Sequence, residues 1–132
     1  LQIMLSRGLK MRVQEVDVWE DCGTPNSMLH ANKYLLEHGH DNSAEVKADR
    51  FTIVPPVNIH PSAQIKNSVI GPCATIAADC QIDCAIVRES IVGEGAQIED
   101  TLVAQSLIGS RARVKGHYHT FNIGDDSEVG FA

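Results

Sequence analysis

The sequence has few aromatic residues and no long hydrophobic run. Only 5% of its 132 residues are aromatic, against a hydrophobic fraction of 43%, so the core must be built mainly from Ile, Val, Leu and Ala. No apolar stretch approaches the roughly 18 residues that a membrane-spanning helix needs. Residues 1–10 also lack the pattern of a secretory signal. These absences predict a cytoplasmic protein with no membrane partner.

Basic residues are scarce as well. Seventeen acidic residues against eleven Lys and Arg give a net charge of −6, and the bases form no run. A surface that follows a nucleic-acid backbone needs clustered positive charge, so no nucleic-acid partner is expected. The length fits one ordinary domain, or a small domain with a piece of another attached.

The cysteines do not have the spacing of a metal site. They stand at positions 22, 73, 80 and 84, and no two of them form a CxxC pair, which is the common arrangement in zinc sites. A disulfide between Cys73 and Cys84 is geometrically possible on neighbouring turns of the repeat described below. A reducing cytoplasm would disfavour it.

Residues 1–39 have the pattern of a small α/β segment. The chain starts at Leu1 with a helix-like pattern that ends near Gly8, as expected for a piece of a longer protein. The alternation in "MRVQEV" predicts a short strand over residues 11–16. Thr24 is the predicted N-cap of a helix that stops near Gly39. One apolar face of this helix comprises Met28, Leu29, Leu35 and Leu36. Residues 40–52 are polar and aperiodic, which predicts a linker.

A repeat dominates the remaining sequence. Residues 82–98 align with residues 98–114 without a gap, at a period of 16. Aliphatic residues recur six apart, at positions 53, 59 and 65, 70, 76 and 82, 92 and 98, and 108 and 114. A small residue follows four places later at Ala63, Ala74, Cys80, Ala96, Ala112 and Ser127. Glycine directly follows an aliphatic residue at Gly71, Gly93, Gly109 and Gly124.

This period is typical of a parallel β-helix built from hexapeptides. Its aliphatic residues stack between coils, small residues fill the corners, and glycine is expected where φ is positive. Residues 53–132 accommodate about four to five coils. An antiparallel sandwich is the alternative, but sandwiches do not keep a six-residue phase over several turns. The predicted fold is therefore mainly β, with the small α/β segment in front.

Two stretches carry a family resemblance. The hexapeptide pattern resembles the left-handed β-helix family, and the resemblance implies the handedness. "VWEDCGTPNSMLHANKYLL", residues 18–36, is similar to the segment that closes the catalytic domain of nucleotidyltransferases of the glucose-1-phosphate thymidylyltransferase and mannose-1-phosphate guanylyltransferase type. There a W-x-D-x-G-T turn precedes a helix with Leu-x-x-Ala-Asn. "NIGDDSEVGF" with the repeat before it resembles the close of long thymidylyltransferase-like proteins.

The resemblance implies a domain division and an activity for a parent protein. Residues 1–39 would be the tail of the catalytic domain, 40–52 the linker and 53–132 the β-helix. The parent would join an NTP and a sugar 1-phosphate into an NDP-sugar with release of pyrophosphate, and the β-helix would serve assembly or regulation. The family's G-x-G-x-R-x-x-P loop has no match in this sequence. The chain alone is therefore expected to be inactive, and no catalytic residue is assigned.

The resemblance also implies site residues in the parent. Asp21 would bind Mg²⁺, and Gly23 and Thr24 would shape the sugar-phosphate end of the site. In the alternative interpretation Asp21 hydrogen-bonds the turn, while Gly23 and Thr24 only form the turn and the cap. Trp19 is expected to pack against the turn and Glu20 to be solvated. In the chain by itself no cofactor is expected.

Two other functions fit a hexapeptide repeat. The first is a β-helix that only assembles subunits. The second is an acyltransferase, which would use a histidine as base. His117 and His119 are two residues apart, a spacing that does not match the zinc-binding histidines of β-helical carbonic anhydrases. The apolar helix face would be exposed without the rest of a catalytic domain, which predicts a homo-oligomer.

Overall fold

The computed structural model of the chain describes residues 2–10, 12–117, 119–126 and 128–130. Helix α1 spans Gln2–Ser6, helix α2 spans Pro25–Leu35, and a π-helical turn follows at Leu36–His40. Twelve short strands come next. They are β1 (Thr52–Ile53), β2 (Val57–Ile59), β3 (Gln64–Lys66), β4 (Val69–Ile70), β5 (Ala74–Ile76), β6 (Gln81–Asp83), β7 (Ile86–Arg88), β8 (Ile91–Val92), β9 (Gln97–Glu99), β10 (Leu102–Ala104), β11 (Leu107–Ile108) and β12 (Arg113–Lys115).

The strands form three parallel sheets of four strands each. Face A consists of β1, β4, β7 and β10, face B of β2, β5, β8 and β11, and face C of β3, β6, β9 and β12. Each strand pairs with the strands one turn before and after it. The chain therefore winds as a solenoid of four turns, and the predicted parallel β-helix is confirmed.

The core consists of three columns of aliphatic residues, one behind each face. Paired strands hold the column members in register. The columns are Ile53, Ile70, Val87 and Val103 behind face A, Ile59, Ile76, Val92 and Ile108 behind face B, and Ile65, Ile82, Ile98 and Val114 behind face C. The six-residue phase predicted ten of these positions and missed Val87 and Val103. Ser127, the last of the predicted small positions, lies outside the described residues.

The turns have two lengths, and the difference lies at one corner. The first turns are one residue longer than the later ones, as the pairing of Ile53 with Ile70 and of Val92 with Ile108 shows. In the first two turns the inward residues of faces A and B are six positions apart in the sequence, as Ile53 and Ile59 are. In the later turns they are five positions apart, as Val87 and Val92 are. The corner between faces A and B is therefore where the solenoid accommodates the extra residue.

The expected role of the repeated glycines needs correction. Gly71 has a positive φ of 105°, but Gly93, Gly109 and Gly124 do not. At Gly93 the requirement is space, because an added Cβ would lie 2.7 Å from the backbone nitrogen of Ser110. The left-handed corners are formed largely by other residues, since Asn67, Cys73, Asp79, Cys84, Glu89, Asp100, Gln105 and Arg111 all have positive φ.

The segment between helix α2 and the solenoid closes the first end of the core. Val46 and Phe51 pack against the buried cluster. Asn42 pairs with β2 like a further strand: its N–H donates to the Val57 carbonyl at 2.9 Å, and its side chain accepts from the Ile59 N–H and donates to the Ile59 carbonyl. The residues that the sequence marks as a linker are thus bound to the β-helix.

The strand predicted over residues 11–16 is not formed at residues 12–16. Val13 and Val16 are exposed, and a strand is stable only beside another strand with an apolar face to cover. The short helix α1 and the positive φ of 69° at Gly8 agree with the expected helix end. Among the described residues no helix is long and apolar enough to cross a membrane.

Candidate functional site

The turn before helix α2 is held by its own side chains. The backbone N–H of Gly23 donates to Asp21 Oδ1 at 3.0 Å, and a Cβ added at Gly23 would lie only 3.3 Å from that oxygen. Thr24 then caps the helix: the Ser27 N–H donates to Thr24 Oγ1, and the Thr24 N–H donates to Ser27 Oγ. With Pro25 in the first helical position, the predicted start of the helix is confirmed.

The two neighbours of this turn differ from expectation. Glu20 is not simply solvated, because its Oε2 lies 2.9 Å from Nδ1 of His30 and so connects the turn to helix α2. Trp19 does not pack against the turn, since 84% of it is exposed. The prediction that Trp19 packs against the turn is therefore wrong for the described chain. Hydrogen bonds stabilise the turn instead.

Asp21 is chemically suited to contribute one ligand to Mg²⁺. Its carboxylate is exposed, and the hydrogen bond from Gly23 uses only Oδ1. Mg²⁺ prefers carboxylate and phosphate oxygens, so the donor type fits. Within the described ranges, no three His, Cys, Asp or Glu side chains are grouped to hold a metal ion. Asp21 would thus supply one carboxylate of a larger site, and its metal role remains a prediction.

Helix α2 packs on the outside of face B. Nδ2 of Asn32 donates to the carbonyl of Cys73 at 3.3 Å, and the Thr75 hydroxyl donates to Asn32 Oδ1 at 2.6 Å. Ala31 and Leu36 are buried at this contact side of the helix, whereas Met28 and Leu35 are exposed. The predicted apolar face is therefore not a single surface, because Leu36 is buried while Met28 and Leu35 are exposed. The helix contacts the solenoid through Ala31 and Asn32.

A groove of about 340 Å³ lies between helix α2 and the A–B corner. Lys33 and His30 line it from the helix, and Cys73 and Glu89 line it from the corner. Burial raises the pKa of the Cys73 thiol, and Lys33 opposes that shift only in part. The thiol is therefore protonated near neutral pH and is a poor nucleophile.

The cysteines are free thiols in this structure. Cys80 fills the predicted small inward position and is fully buried. Burial raises the pKa of its thiol, and hydrogen bonds to backbone groups offset that rise only partly. Cys73 and Cys80 thus behave as small core or groove residues.

Face C carries ion pairs that sequence reasoning missed. Lys66 Nζ lies 2.9 Å from Asp83 Oδ2, and Lys115 Nζ lies 2.9 Å from Glu99 Oε2. The hydrogen bond from Lys66 lowers the pKa of Asp83, and the same bond raises the pKa of Lys66. The partners are one turn apart in the sequence, so applying the period of the repeat to the outward positions would have found them.

The histidines are distributed over separate parts of the chain. His60 Nδ1 lies 2.9 Å from the Ser62 hydroxyl at the start of face C. The rings of His117 and His119 meet edge to face at a centroid distance of 4.6 Å beyond β12, and His30 pairs with Glu20. This distribution does not favour the arrangement of a histidine base within a shared acyltransferase site.

The four-turn parallel solenoid with a capped helix on its flank defines the class of parallel β-helical domains. Residues 53–130 match the family described as the GMPPB C-terminal domain. Because the match covers more than half of the chain, the chain belongs to that family.

Two curated relatives carry nucleotidyltransferase names. A probable mannose-1-phosphate guanyltransferase of Schizosaccharomyces pombe is 35% identical over 85 residues, which cover 62% of this chain and 20% of the relative. A glucose-1-phosphate thymidylyltransferase of Streptomyces griseus is 28% identical over 99 residues, covering 61% of this chain and 27% of the relative. The chain therefore spans a fifth to about a quarter of the length of these relatives. They indicate a sugar-1-phosphate nucleotidyltransferase family.

Proposed function

We propose that this chain is the C-terminal part of a nucleotidyltransferase that forms an NDP-sugar and pyrophosphate from an NTP and a sugar 1-phosphate. The observation that carries the proposal is the family match over all four turns of the solenoid, together with the names of the two relatives. The turn at Asp21–Thr24, directly before helix α2, supports it. An acyltransferase is not favoured by these relatives.

In the proposed parent, Asp21 holds Mg²⁺ together with groups from outside this chain. The ion would neutralise charge that develops on the phosphates. The hydrogen bond from the Gly23 N–H fixes the carboxylate relative to the helix start, and Thr24 orients the helix through its cap. Gly23 and Thr24 thereby shape the sugar-phosphate end of the site. The chain alone, without a phosphate-binding loop, makes no NDP-sugar.

The β-helix serves assembly or regulation in this proposal, and the protein is a cytoplasmic homo-oligomer. The exposed residues Met28 and Leu35 on helix α2 support the oligomer, because neighbouring apolar side chains at a surface favour association. A β-helix that only assembles subunits is the second candidate. It differs from the first in predicting no role for Asp21 in turnover.

The test is pyrophosphate release by the longer protein that contains this chain. Asp21→Asn keeps the shape of the side chain and removes a charged ligand, so turnover at saturating Mg²⁺ should fall about 100-fold, which corresponds to about 2.7 kcal/mol of transition-state stabilisation. Asp17→Asn is the matched control, because Asp17 is an exposed carboxylate just upstream of the turn. Circular dichroism checks the folding of both variants. Unchanged turnover in Asp21→Asn would leave Asp21 with the turn alone.

A further inference from the structure

Among the described residues, no feature of the four-turn solenoid requires a glycine at position 109. Its φ is not positive, and among the described residues nothing lies within 4 Å of a Cβ built on it. Gly93, one turn earlier at the same position of the repeat, has a clear requirement. Its Cβ would collide with the backbone of Gly109 and Ser110 in the following turn. Gly109 would be needed for the same reason if another turn followed it.

The sequence after β12 supplies the pattern of that turn. Ile123 and Gly124 repeat the pair Ile108 and Gly109, and Val129 repeats Val114 at the same separation. This separation is one residue shorter than the one between paired residues of β8 and β11. The first turns of the solenoid are themselves one residue longer than the later ones, with the difference taken up at a corner. The length of the repeat therefore decreases by one residue between the first and the later turns, and by one more residue in the tail.

The backbone of this tail already has the conformation of a corner. Asp126 has a φ of 57°, which matches the 56° of Asp79, the 67° of Gly95 and the 58° of Arg111 at the corner between faces B and C. Residues 125–126 form a turn, as do residues 78–79, 94–95 and 110–111. This agreement is independent of the aliphatic pattern, because it concerns the backbone and not the side chains.

The last turn offers a surface to which such a segment can bind. Strands β10, β11 and β12 are the last strands of their sheets, and within the described part of the chain each is paired on one side only. Ile108 and Val114, at the end of two core columns, are only half-buried. Ile123 and Val129 are exposed, at 59% and 46%. Open strand edges next to apolar side chains are a surface that proteins usually cover.

We propose that the tail after β12 binds this open end as a fifth turn through its described residues 121–126 and 128–130, by strand addition to β11 and β12. Ile123 then stacks on Ile108, Gly124 meets Gly109 through its backbone, and Val129 covers Val114. The occupant is the chain's own tail, because its pattern, spacing and corner conformation all match.

Two alanine substitutions in the full 132-residue chain test the closure. Gly109→Ala is sterically free in the four-turn arrangement, but its methyl group would block the backbone of a fifth turn. Gly124→Ala is the matched control, since it adds the same methyl group at the equivalent position of the tail and nothing lies within 4 Å of its Cβ position among the described residues. Amide hydrogen exchange over residues 107–115 should become at least about tenfold faster in Gly109→Ala and stay unchanged in Gly124→Ala.

A second pair of variants tests the tail itself. Ile123→Asp should accelerate exchange over residues 107–115 as Gly109→Ala does, because a carboxylate cannot stack on Ile108. Thr120→Asp adds the same charge outside the repeated positions and should have no such effect. Exchange in strands β4–β9 serves as the internal reference for folding. Equal exchange in wild type, Gly109→Ala and Ile123→Asp would overturn the proposal. The proposal would also be overturned if dilution removed the protection of residues 107–115 together with a dimer seen in light scattering. The added strand would then come from a second copy of the chain.

Discussion

At the scale of single residues, Ile98 occupies the centre of the core column behind face C. It pairs with Ile82 on one side and Val114 on the other, and only 1% of it is exposed. Ile98→Ala should lower the free energy of unfolding by about 2–5 kcal/mol, because both neighbours lose packing contacts. Glu99→Ala, which removes an exposed ion pair with Lys115, should cost about 1 kcal/mol or less. Equal losses in thermal or chemical denaturation would contradict the inward position of Ile98.

Asp41 is expected to make the free energy of unfolding depend on pH. Burial alone would raise its pKa, but hydrogen bonds from the N–H groups of Ser43 and Val57 and from the Ser43 hydroxyl outweigh burial and lower it below 3.8. A lowered pKa in the folded state stabilises the protein fully above 3.8, and this stabilisation is lost as the pH falls through the lowered value. Because Asp41 is exposed and solvent screens its charge, Asp41→Asn should cost no more than about 1 kcal/mol at neutral pH.

The measurement is chemical denaturation of wild type and Asp41→Asn over a series of pH values. The difference between them should be constant near neutrality and shrink below pH 3.8, the ordinary value for this carboxyl. Asp49→Asn removes an exposed carboxylate from the same segment and serves as the control. A difference that does not change with pH would show that Asp41 does not stabilise the fold through its charge.

At the scale of elements, helix α2 depends on Asn32 for its attachment to face B. Asn32→Ala removes two hydrogen bonds and leaves the Cys73 carbonyl and the Thr75 hydroxyl without this partner. The cost should be about 1–2 kcal/mol, seen as faster amide exchange in helix α2 than in the strands. Asn26→Ala makes the same change at an exposed position of the same helix. If both variants exchange alike, Asn32 does not hold the helix in place.

Elements also differ in how far the sequence determines them. The strands were predictable because one inward position per strand repeats at a period that only stacked turns can satisfy. The start of helix α2 was predictable from Thr24 and Pro25, whose roles are local. The strand expected near Val13 was wrong, because alternation alone cannot supply a neighbouring strand.

Contacts between distant parts of the chain were less predictable. The attachment of Asn32 to Thr75 joins residues 43 positions apart, and no local pattern records it. The hydrogen bonds of Asn42 to β2 were hidden for the same reason, since a polar, aperiodic stretch looks like a linker whether or not it is bound. For the candidate site, the sequence indicated the turn at Asp21. The exposure of Trp19 and the pairing of Glu20 with His30 required coordinates.

At the scale of the whole molecule, the exposed side of helix α2 predicts self-association. Met28 and Leu35 are two helical turns apart, so they lie on the same side of the helix, with exposed fractions of 39% and 48%. The double variant Met28→Gln, Leu35→Gln should shift the protein toward the monomer in light scattering at micromolar concentration. Glu37→Gln changes an already polar, exposed position and should not. A wild-type monomer, or an oligomer that the double variant leaves intact, would contradict this surface.

Residues that pair between neighbouring turns have a nearly constant separation along the sequence, and this affects how the chain folds. Every pairing between turns joins residues 16 or 17 apart, so each new turn closes a loop of nearly the same size, whatever the number of turns already formed. The entropy lost on loop closure is then almost the same at each step, and folding can propagate along the solenoid from neighbour to neighbour. During synthesis, the segment containing Asn42 and Phe51 leaves the ribosome before strands β1–β12 of the solenoid. It is therefore available as a template on which successive turns can form while the chain is still growing.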